Sequence, residues 1–244
     1  MMKHITTCSI AKNLDVDSSI EHFLNENNET FVLDPEKLNE DFWAINESLE
    51  RIALSDGASE SYNSKLWAKL LCNHFIDKQS FDEFNLFIDN VIREYVLQHN
   101  LSEMSWSQIS AYERGSFATF IGVDFDSFLN KLTTISIGDS VCLLFKEVKK
   151  EKIIKNKRKK RNNKSVRKIF QTTGFEYIPI YEIPDFSINP ILLSTNSKLN
   201  NLNFHDSTKE VYLDKNQRYY LILGTDAISA WLINQDKILT PESS

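Results

Sequence analysis

The sequence predicts one layered α+β domain with mainly antiparallel sheets, and three observations predict it. The chain has 244 residues, of which 41% are hydrophobic and 25% charged. This size and composition suit one globular domain with a large buried core. Short strand-like runs with hairpin spacing occur early and late in the chain. Two long segments between them carry apolar residues at helical spacing, which favours packed layers of sheet and helix.

The first two predicted strands form a hairpin, and a helix follows them. Residues 41–46 and Arg51–Ser55 read as strands joined by a polar turn. From Tyr62 to Phe75, apolar side chains recur at three- and four-residue steps. That spacing predicts a helix of about four turns.

Two more helices are predicted from pairs with capping-box spacing, Ser80 with Glu83 and Ser105 with Gln108. The second of these helices should end near Gly115. The remaining runs predict strands over residues 118–125, 133–137, 141–145, 175–181, 210–213 and 219–224, and a final helix over 227–233.

The charge is unevenly distributed along the chain. The formal net charge is -6, but Lys146 to Lys168 contains thirteen Lys or Arg against two Glu, so the rest of the chain carries -17. We interpret residues 146–168 as a basic, flexible insertion that interrupts a hairpin. As an alternative, this segment binds an acidic protein partner or a nucleic acid.

Nothing in the sequence indicates export or a membrane partner. No run approaches the roughly 18 apolar residues of a membrane span, and no apolar signal core follows residues 1–7. The three cysteines, Cys8, Cys72 and Cys142, are far apart and show no metal-binding spacing. We therefore expect a cytoplasmic protein with reduced thiols.

Acidic residues stand at the ends of predicted strands. They are Glu40 and Asp41, Asp56, Asp139 and Asp226. Divalent cations such as Mg2+ and Mn2+ prefer oxygen ligands, and a glycine beside a ligand, here Gly57, allows close backbone approach. For any one of these residues alone, forming a turn or capping a helix is the commoner role.

Four ordered blocks between Asn39 and Trp231 resemble the metal-dependent protein phosphatases of type 2C (the PPM family), most closely their divergent bacterial branch. The blocks are Asn39-Glu40-Asp41-Phe42 with Leu54-Ser55-Asp56-Gly57-Ala58-Ser59-Glu60-Ser61 and Leu66-Trp67-Ala68, then Gly115-Ser116-Phe117-Ala118-Thr119, Ile137-Gly138-Asp139-Ser140, and Thr225-Asp226-Ala227-Ile228-Ser229-Ala230-Trp231. The resemblance implies a single phosphatase-like domain over residues 1–244. Its fold would be a four-layer α-β-β-α sandwich of two mainly antiparallel sheets flanked by helices.

The resemblance also implies the activity, the cofactors and the residues that bind them. Two Mn2+ or Mg2+ ions, with a third held loosely, would activate a water that hydrolyses phosphoserine or phosphothreonine in a partner protein. Asp56 would bridge two ions and the Gly57 carbonyl would bind one of them. Glu40 would be a ligand through water, with Asp41 beside it. Asp226 would bind the other ion and Asp139 the third.

Three departures from the family pattern define an alternative, a catalytically degenerate protein that acts as a binding or regulatory module. The arginine that grips the substrate phosphate has no counterpart, and Lys37 near its place would act only as a point charge. Ala58 stands where the family has a histidine proposed as general acid. The chain ends at Ser244 without the family's final Asp-Asn segment, so we expect a C-terminally short member.

Overall fold

The computed structural model describes residues 23–24, 30–31, 39–77, 84–155, 167–200 and 204–234. Its strands are β1 (Phe23–Leu24), β2 (Thr30–Phe31), β3 (Phe42–Asn46), β4 (Arg51–Ser55), β5 (Phe117–Ala118), β6 (Phe120–Asp126), β7 (Lys131–Ile137), β8 (Val141–Lys155), β9 (Arg167–Ile178), β10 (Leu193–Ser194), β11 (Thr208–Tyr212) and β12 (Tyr219–Gly224). Its α-helices are α1 (Ser64–Asp77), α2 (Phe84–Leu97), α3 (Trp106–Arg114), α4 (Phe204–Ser207) and α5 (Asp226–Asn234).

The fold is mixed α+β with antiparallel sheets, as predicted. A five-stranded sheet has the order β11-β7-β6-β4-β3, and a three-stranded sheet has the order β12-β8-β9. Every strand pair within these two sheets is antiparallel. The short strands form two further antiparallel pairs, β1 with β2 and β5 with β10.

Helices α1 and α2 cover one face of the five-stranded sheet. Trp67 of α1 and Tyr95 of α2 are fully buried in the same cluster as Phe120 of β6. Gly122 permits this close packing, because a Cβ at this position would lie 2.5 Å from Cζ of Phe75 in α1. A larger residue at 122 would therefore force helix and sheet apart.

The opposite face of this sheet packs against the three-stranded sheet. Side chains alternate along a strand, so Ile121 and Val123 of β6 point away from the helices and meet Cys142 and Leu144 of β8 in a second cluster. The outer face of β8 forms a third cluster of Val141, Leu143 and Phe145, against which Ile233 of α5 packs. The core thus lies on both sides of each main sheet.

Most predicted elements are confirmed. Strands β3 and β12 and helices α1 and α5 lie within about one or two residues of the predicted bounds. Ser105 and Gln108 form the predicted capping box of α3, and Gly115 is its C-cap with φ 95°. The pair predicted to start the preceding helix, Ser80 and Glu83, lies outside the described residues.

The basic segment 146–168 differs from its predicted role as an interruption of the hairpin. Residues 146–155 continue β8, and Arg167 and Lys168 begin β9. The two strands stay paired as far as Lys155 opposite Arg167, because the hydrogen bonds of a β-ladder are made by the backbone and do not depend on apolar side chains. Residues 156–166, the rest of the segment, lie outside the described residues.

Within the described ranges, none of the helices combines the length and the apolar character needed to cross a membrane.

Candidate functional site

The β3–β4 hairpin brings the first two acidic blocks together. Phe42 at the start of β3 pairs with Ser55 at the end of β4. The residues before β3 and after β4 therefore meet at the same end of these two paired strands. The backbone N–H of Gly57 donates to the carbonyl of Glu40 at 3.3 Å. The backbone of Glu40 and Asp41 thus lies beside that of Asp56 and Gly57.

Thr119 holds Asp56 in position. The backbone N–H of Asp56 donates to Thr119 Oγ1 at 3.0 Å, and the backbone N–H of Thr119 donates to the Asp56 carbonyl at 2.9 Å. Ser55 Oγ donates to the Thr119 carbonyl at 2.6 Å. Asp56 and Thr119 are both more than nine-tenths buried, so this reciprocal bonding fixes the backbone that carries the Asp56 carboxylate.

The same threonine binds the turn that contains Asp139. Thr119 Oγ1 lies 2.7 Å from Ser140 Oγ. Gly138 has φ 97°, a conformation that favours glycine, and a Cβ there would lie 2.7 Å from Thr119 Cγ2. The Gly138–Ser140 turn therefore packs directly on the residue that holds Asp56.

A longer contact joins the last acidic block to the first. Thr225 Oγ1 lies 3.5 Å from Asp41 Oδ2, across 184 positions of sequence, at the outer limit of hydrogen-bond length. Thr225 is buried, and Asp226 follows it as the first residue of α5. Asp226 Oδ1 accepts the backbone N–H of Ala227 at 2.6 Å. We call the four joined segments, residues 40–41, 56–57, 138–140 and 225–226, the acidic edge.

Ser64, the first residue of α1, completes the surroundings of Glu40. Ser64 Oγ donates to Glu40 Oε1 at 3.1 Å. A Cβ on Gly57 would lie 2.9 Å from both the Cβ and the backbone carbon of Ser64, so only glycine fits between α1 and the hairpin. Ser64 at the buried start of α1 therefore orients the Glu40 carboxylate and requires glycine at position 57.

The sequence reasoning missed the parts that Ser64, Thr119 and Thr225 play. Each is a Ser or Thr next to the end of a predicted element, where such side chains commonly bond to neighbouring backbone. Thr119 and Thr225 belong to blocks that carry the family resemblance, but their partners lie 63 and 184 positions away. Their bonding depends on tertiary contacts that local patterns do not reveal.

The oxygen atoms along the acidic edge are of the chemical type that a hard divalent cation binds, although the described carboxylates do not form a cluster of three around one point. Asp41 Oδ1 is buried and accepts no hydrogen bond within the part of the chain that the structure describes. A buried carboxylate oxygen is costly unless a proton, donor or cation satisfies it. Carboxylate and carbonyl oxygens, as on Glu40, Asp56 and Gly57, are the ligands that Mn2+ and Mg2+ take. Across the described ranges, no group of three or more His, Cys, Asp or Glu is placed to hold a metal ion.

A cavity of about 360 Å³ opens beside Asp139. Its opposite wall is the segment after β9, including Pro184, Asp185 and Ile188. Hydrogen bonds from the Ser187 side chain and backbone lower the pKa of the Asp185 carboxyl below its ordinary value. Asp139 and Asp185 thus line the same cavity.

Lys37, the predicted phosphate-binding residue, lies outside the described residues. Ala58, in place of the family's histidine, donates its backbone N–H to the Phe117 carbonyl at 2.9 Å. Its role here is to join the Asp56–Gly57 loop to β5, which needs no ionisable side chain.

No protein-family model, no curated protein and no solved structure matches this chain.

Proposed function

We propose that the chain is a metal-dependent serine/threonine protein phosphatase of the cytoplasm, folded as a four-layer α-β-β-α sandwich. The observation that carries the proposal is the bonding network of the acidic edge. Thr119 bonds to the Asp56 backbone and to Ser140, the neighbour of Asp139, and Asp41 contacts Thr225, the neighbour of Asp226. Four acidic segments remote in sequence thus share one edge, which the family resemblance requires.

The layer order of the proposed sandwich is supported by the three core clusters. The first cluster lies between α1–α2 and the five-stranded sheet, the second between the two sheets, and the third between the three-stranded sheet and α5. The acidic edge lies where β3 and β4 meet the start of β8 and the end of β12.

The chain's own residues would position the ligands and attract the substrate at this edge. Thr119 fixes the backbone of Asp56, and Ser64 orients Glu40 with a hydrogen bond of 3.1 Å. Glu40, Asp41, Asp56, the Gly57 carbonyl and Asp226 would hold two Mn2+ or Mg2+ ions, and Asp139 a third. When bound, the ions would lower the pKa of a shared water and neutralise charge on the phosphoryl oxygens. Lys37 would attract the substrate phosphate.

Metal-dependent hydrolysis of p-nitrophenyl phosphate and of phosphothreonine peptides tests the proposal. The wild-type chain should turn over both with Mn2+ and neither after chelation. Asp56→Asn should reduce kcat by about 100-fold or more. The matched control is Asp89→Asn on the exposed side of α2, which should leave the rate unchanged. Equal activity in Asp56→Asn and Asp89→Asn would refute the assigned site.

The second candidate is a catalytically degenerate member that binds a partner through the same fold. Ala58 favours it, because an alanine side chain cannot donate a proton where the family has a histidine proposed as general acid. The two candidates differ in one measurement. A chain that binds Mn2+ by calorimetry but shows no turnover of either substrate is the degenerate module.

A further inference from the structure

Two adjoining cavities form a groove beside the Gly138–Ser140 turn. The cavity of about 360 Å³ beside Asp139 and a second cavity of about 240 Å³ are both lined by Ser136, Gly138 and Pro184. Because the cavities share these three residues, they lie end to end. Their combined size falls within the range of ligand sites, about 300–1,000 Å³. We call this space the turn groove.

The segment between β9 and β10 forms one wall of the turn groove and is fixed at both ends. At its start, Tyr181 Oη lies 2.8 Å from the Thr134 carbonyl and 2.9 Å from the Ser207 carbonyl. Just after its end, the Leu193 carbonyl accepts the indole N–H of Trp67 at 3.0 Å. The groove is therefore preformed, which lowers the entropic cost of binding a ligand.

A turn within this wall orients Asp185. Ser187 donates its backbone N–H and its hydroxyl to Asp185 Oδ1, at 2.9 and 2.6 Å. The backbone N–H of Ile188 donates to the Asp185 carbonyl at 3.1 Å, and Phe186 packs against the third core cluster. Both bonds from Ser187 go to one carboxylate oxygen. The other oxygen, Oδ2, accepts no hydrogen bond from the residues that the structure describes, so it can accept one from a ligand.

The turn groove combines acidic and apolar groups. Asp139, Glu182 and Asp185 line it, and among its described lining residues none is Lys, Arg or His. Ile188 and Ile191 line the same space and are 65% and 68% exposed. Lysine and arginine side chains suit this mixture, because their methylene stems pack on apolar surface while the charged head meets a carboxylate.

We propose that the turn groove binds an extended peptide segment in which a lysine or arginine stands among apolar residues. Two cavities end to end suit an elongated ligand better than a compact one. Outside Lys146 to Lys168 the chain carries -17, so its field attracts a basic segment. The groove adjoins the acidic edge at Asp139, so the segment would flank a phosphorylated residue bound there. This placement within a substrate rests on the proposed function, whereas the binding itself does not.

The experiment uses the full chain and an unphosphorylated, fluorescein-labelled peptide of alanine, leucine and arginine, about eight residues or about 26 Å long. Anisotropy at about 50 mM salt gives its Kd. A second peptide carries glutamine in place of arginine. EDTA is present, because a cation at Asp139 would add positive charge beside the groove. Neither metal nor phosphate takes part, so the result is independent of the proposed activity.

Asp185→Asn should weaken binding of the arginine peptide by about fivefold, because a neutral amide replaces the carboxylate. The glutamine peptide has no cation to pair with Asp185, so wild type and Asp185→Asn should bind it equally.

The matched control for the carboxylate is Asp214→Asn. Asp214 is exposed and forms the same kind of turn, in which its Oδ1 accepts the backbone N–H of Asn216 at 2.9 Å. It does not line the turn groove. The control should bind the arginine peptide within about 1.5-fold of wild type, because salt screens a distant charge.

A second variant tests the apolar wall without changing the charge. Ile188→Ala should weaken binding of both peptides by about threefold, because it removes apolar surface that the bound segment covers. Its control is Leu129→Ala, at an exposed position in the turn between β6 and β7, which should leave both Kd values unchanged. Circular dichroism checks that every variant folds.

Four results would overturn the proposal. The first is no binding of the arginine peptide by wild type, and the second is equal weakening in Asp185→Asn and Asp214→Asn. The third is a loss in Asp185→Asn that the glutamine peptide shares, because the carboxylate would then not recognise a cation. The fourth is full displacement of the peptide by an equal concentration of spermidine, because the groove would then be a site for small polyamines.

Discussion

Thr119 Oγ1 accepts the backbone N–H of Asp56 at 3.0 Å, and both residues are buried. The same oxygen lies 2.7 Å from Ser140 Oγ. One hydroxyl thus joins two segments of the acidic edge that are more than 80 positions apart in sequence, and its removal should disturb both.

Thr119→Val is expected to lower the free energy of unfolding by about 1–3 kcal/mol, because it leaves the Asp56 N–H and the Ser140 hydroxyl buried without this partner. Urea unfolding measures the change. The matched variant Thr173→Val, at an exposed position of β9, should stay within about 0.5 kcal/mol of wild type. Similar losses in both variants would show that the Thr119 network contributes little.

Arg51 and Asp124 should be coupled more strongly than a surface pair. Arg51 is 7% exposed and lies 3.3 Å from Asp124 on the neighbouring strand β6. Asp124→Asn is expected to lower the free energy of unfolding by about 1.5–3 kcal/mol, because the buried Arg51 guanidinium loses its charged partner. For comparison, Glu210→Gln breaks the ion pair between Lys131 and Glu210, which is more exposed than the Arg51–Asp124 pair. It should lower the free energy of unfolding by less than about 1 kcal/mol.

Urea unfolding of both variants tests the coupling. Equal costs would mean that water solvates Arg51 as well as it does Lys131, contrary to the burial of Arg51.

Divalent metal should stabilise the fold if the acidic edge binds it. Mn2+ at about 100 times its Kd is expected to raise the free energy of unfolding by about 2.7 kcal/mol. Asp41→Asn should reduce this gain, because Asp41 Oδ1 is a buried oxygen that accepts no hydrogen bond from the described residues. Thermal unfolding with Mn2+ and with chelator gives the difference, and Asp89→Asn serves as control. Equal melting temperatures in the two conditions would count against a metal site, whatever the activity.

The two described cysteines should be unreactive in the folded protein. Burial raises the pKa of Cys142 to about 12 and raises the pKa of Cys72 well above its ordinary value. The thiolate is the reactive form, so a disulfide reagent at pH 8 should modify neither residue until denaturant is added. A Cys8→Ser variant isolates the two buried thiols. Rapid modification without denaturant would show that the core opens readily.

Local patterns predicted the elements that local interactions determine. The hairpin of β3 and β4, the apolar stripe of α1 and the capping box of α3 each depend on residues only a few positions apart. Short elements such as β10 and α4 were missed, because two to four residues carry too little periodicity.

The largest difference between the predicted and the observed fold is the length of strands β8 and β9. A run of lysines indicates a loop by composition, yet the backbone of residues 146–155 continues as a strand. Pairing between residues such as Lys150 and Thr172 depends on register set further along the ladder. Within the acidic edge, the carboxylates stood out at strand ends, whereas Thr119 and Ser64 acquire their roles only through folding.

Strand β8 runs unbroken from Val141, two residues after Asp139, to Lys155, a length of about 45 Å. The far ends of β8 and β9 are kept that distance from the acidic edge, because a β-ladder paired along its length does not shorten. A short peptide at the carboxylates would therefore lie close only to the near end of these two strands, and only a larger partner could contact both ends.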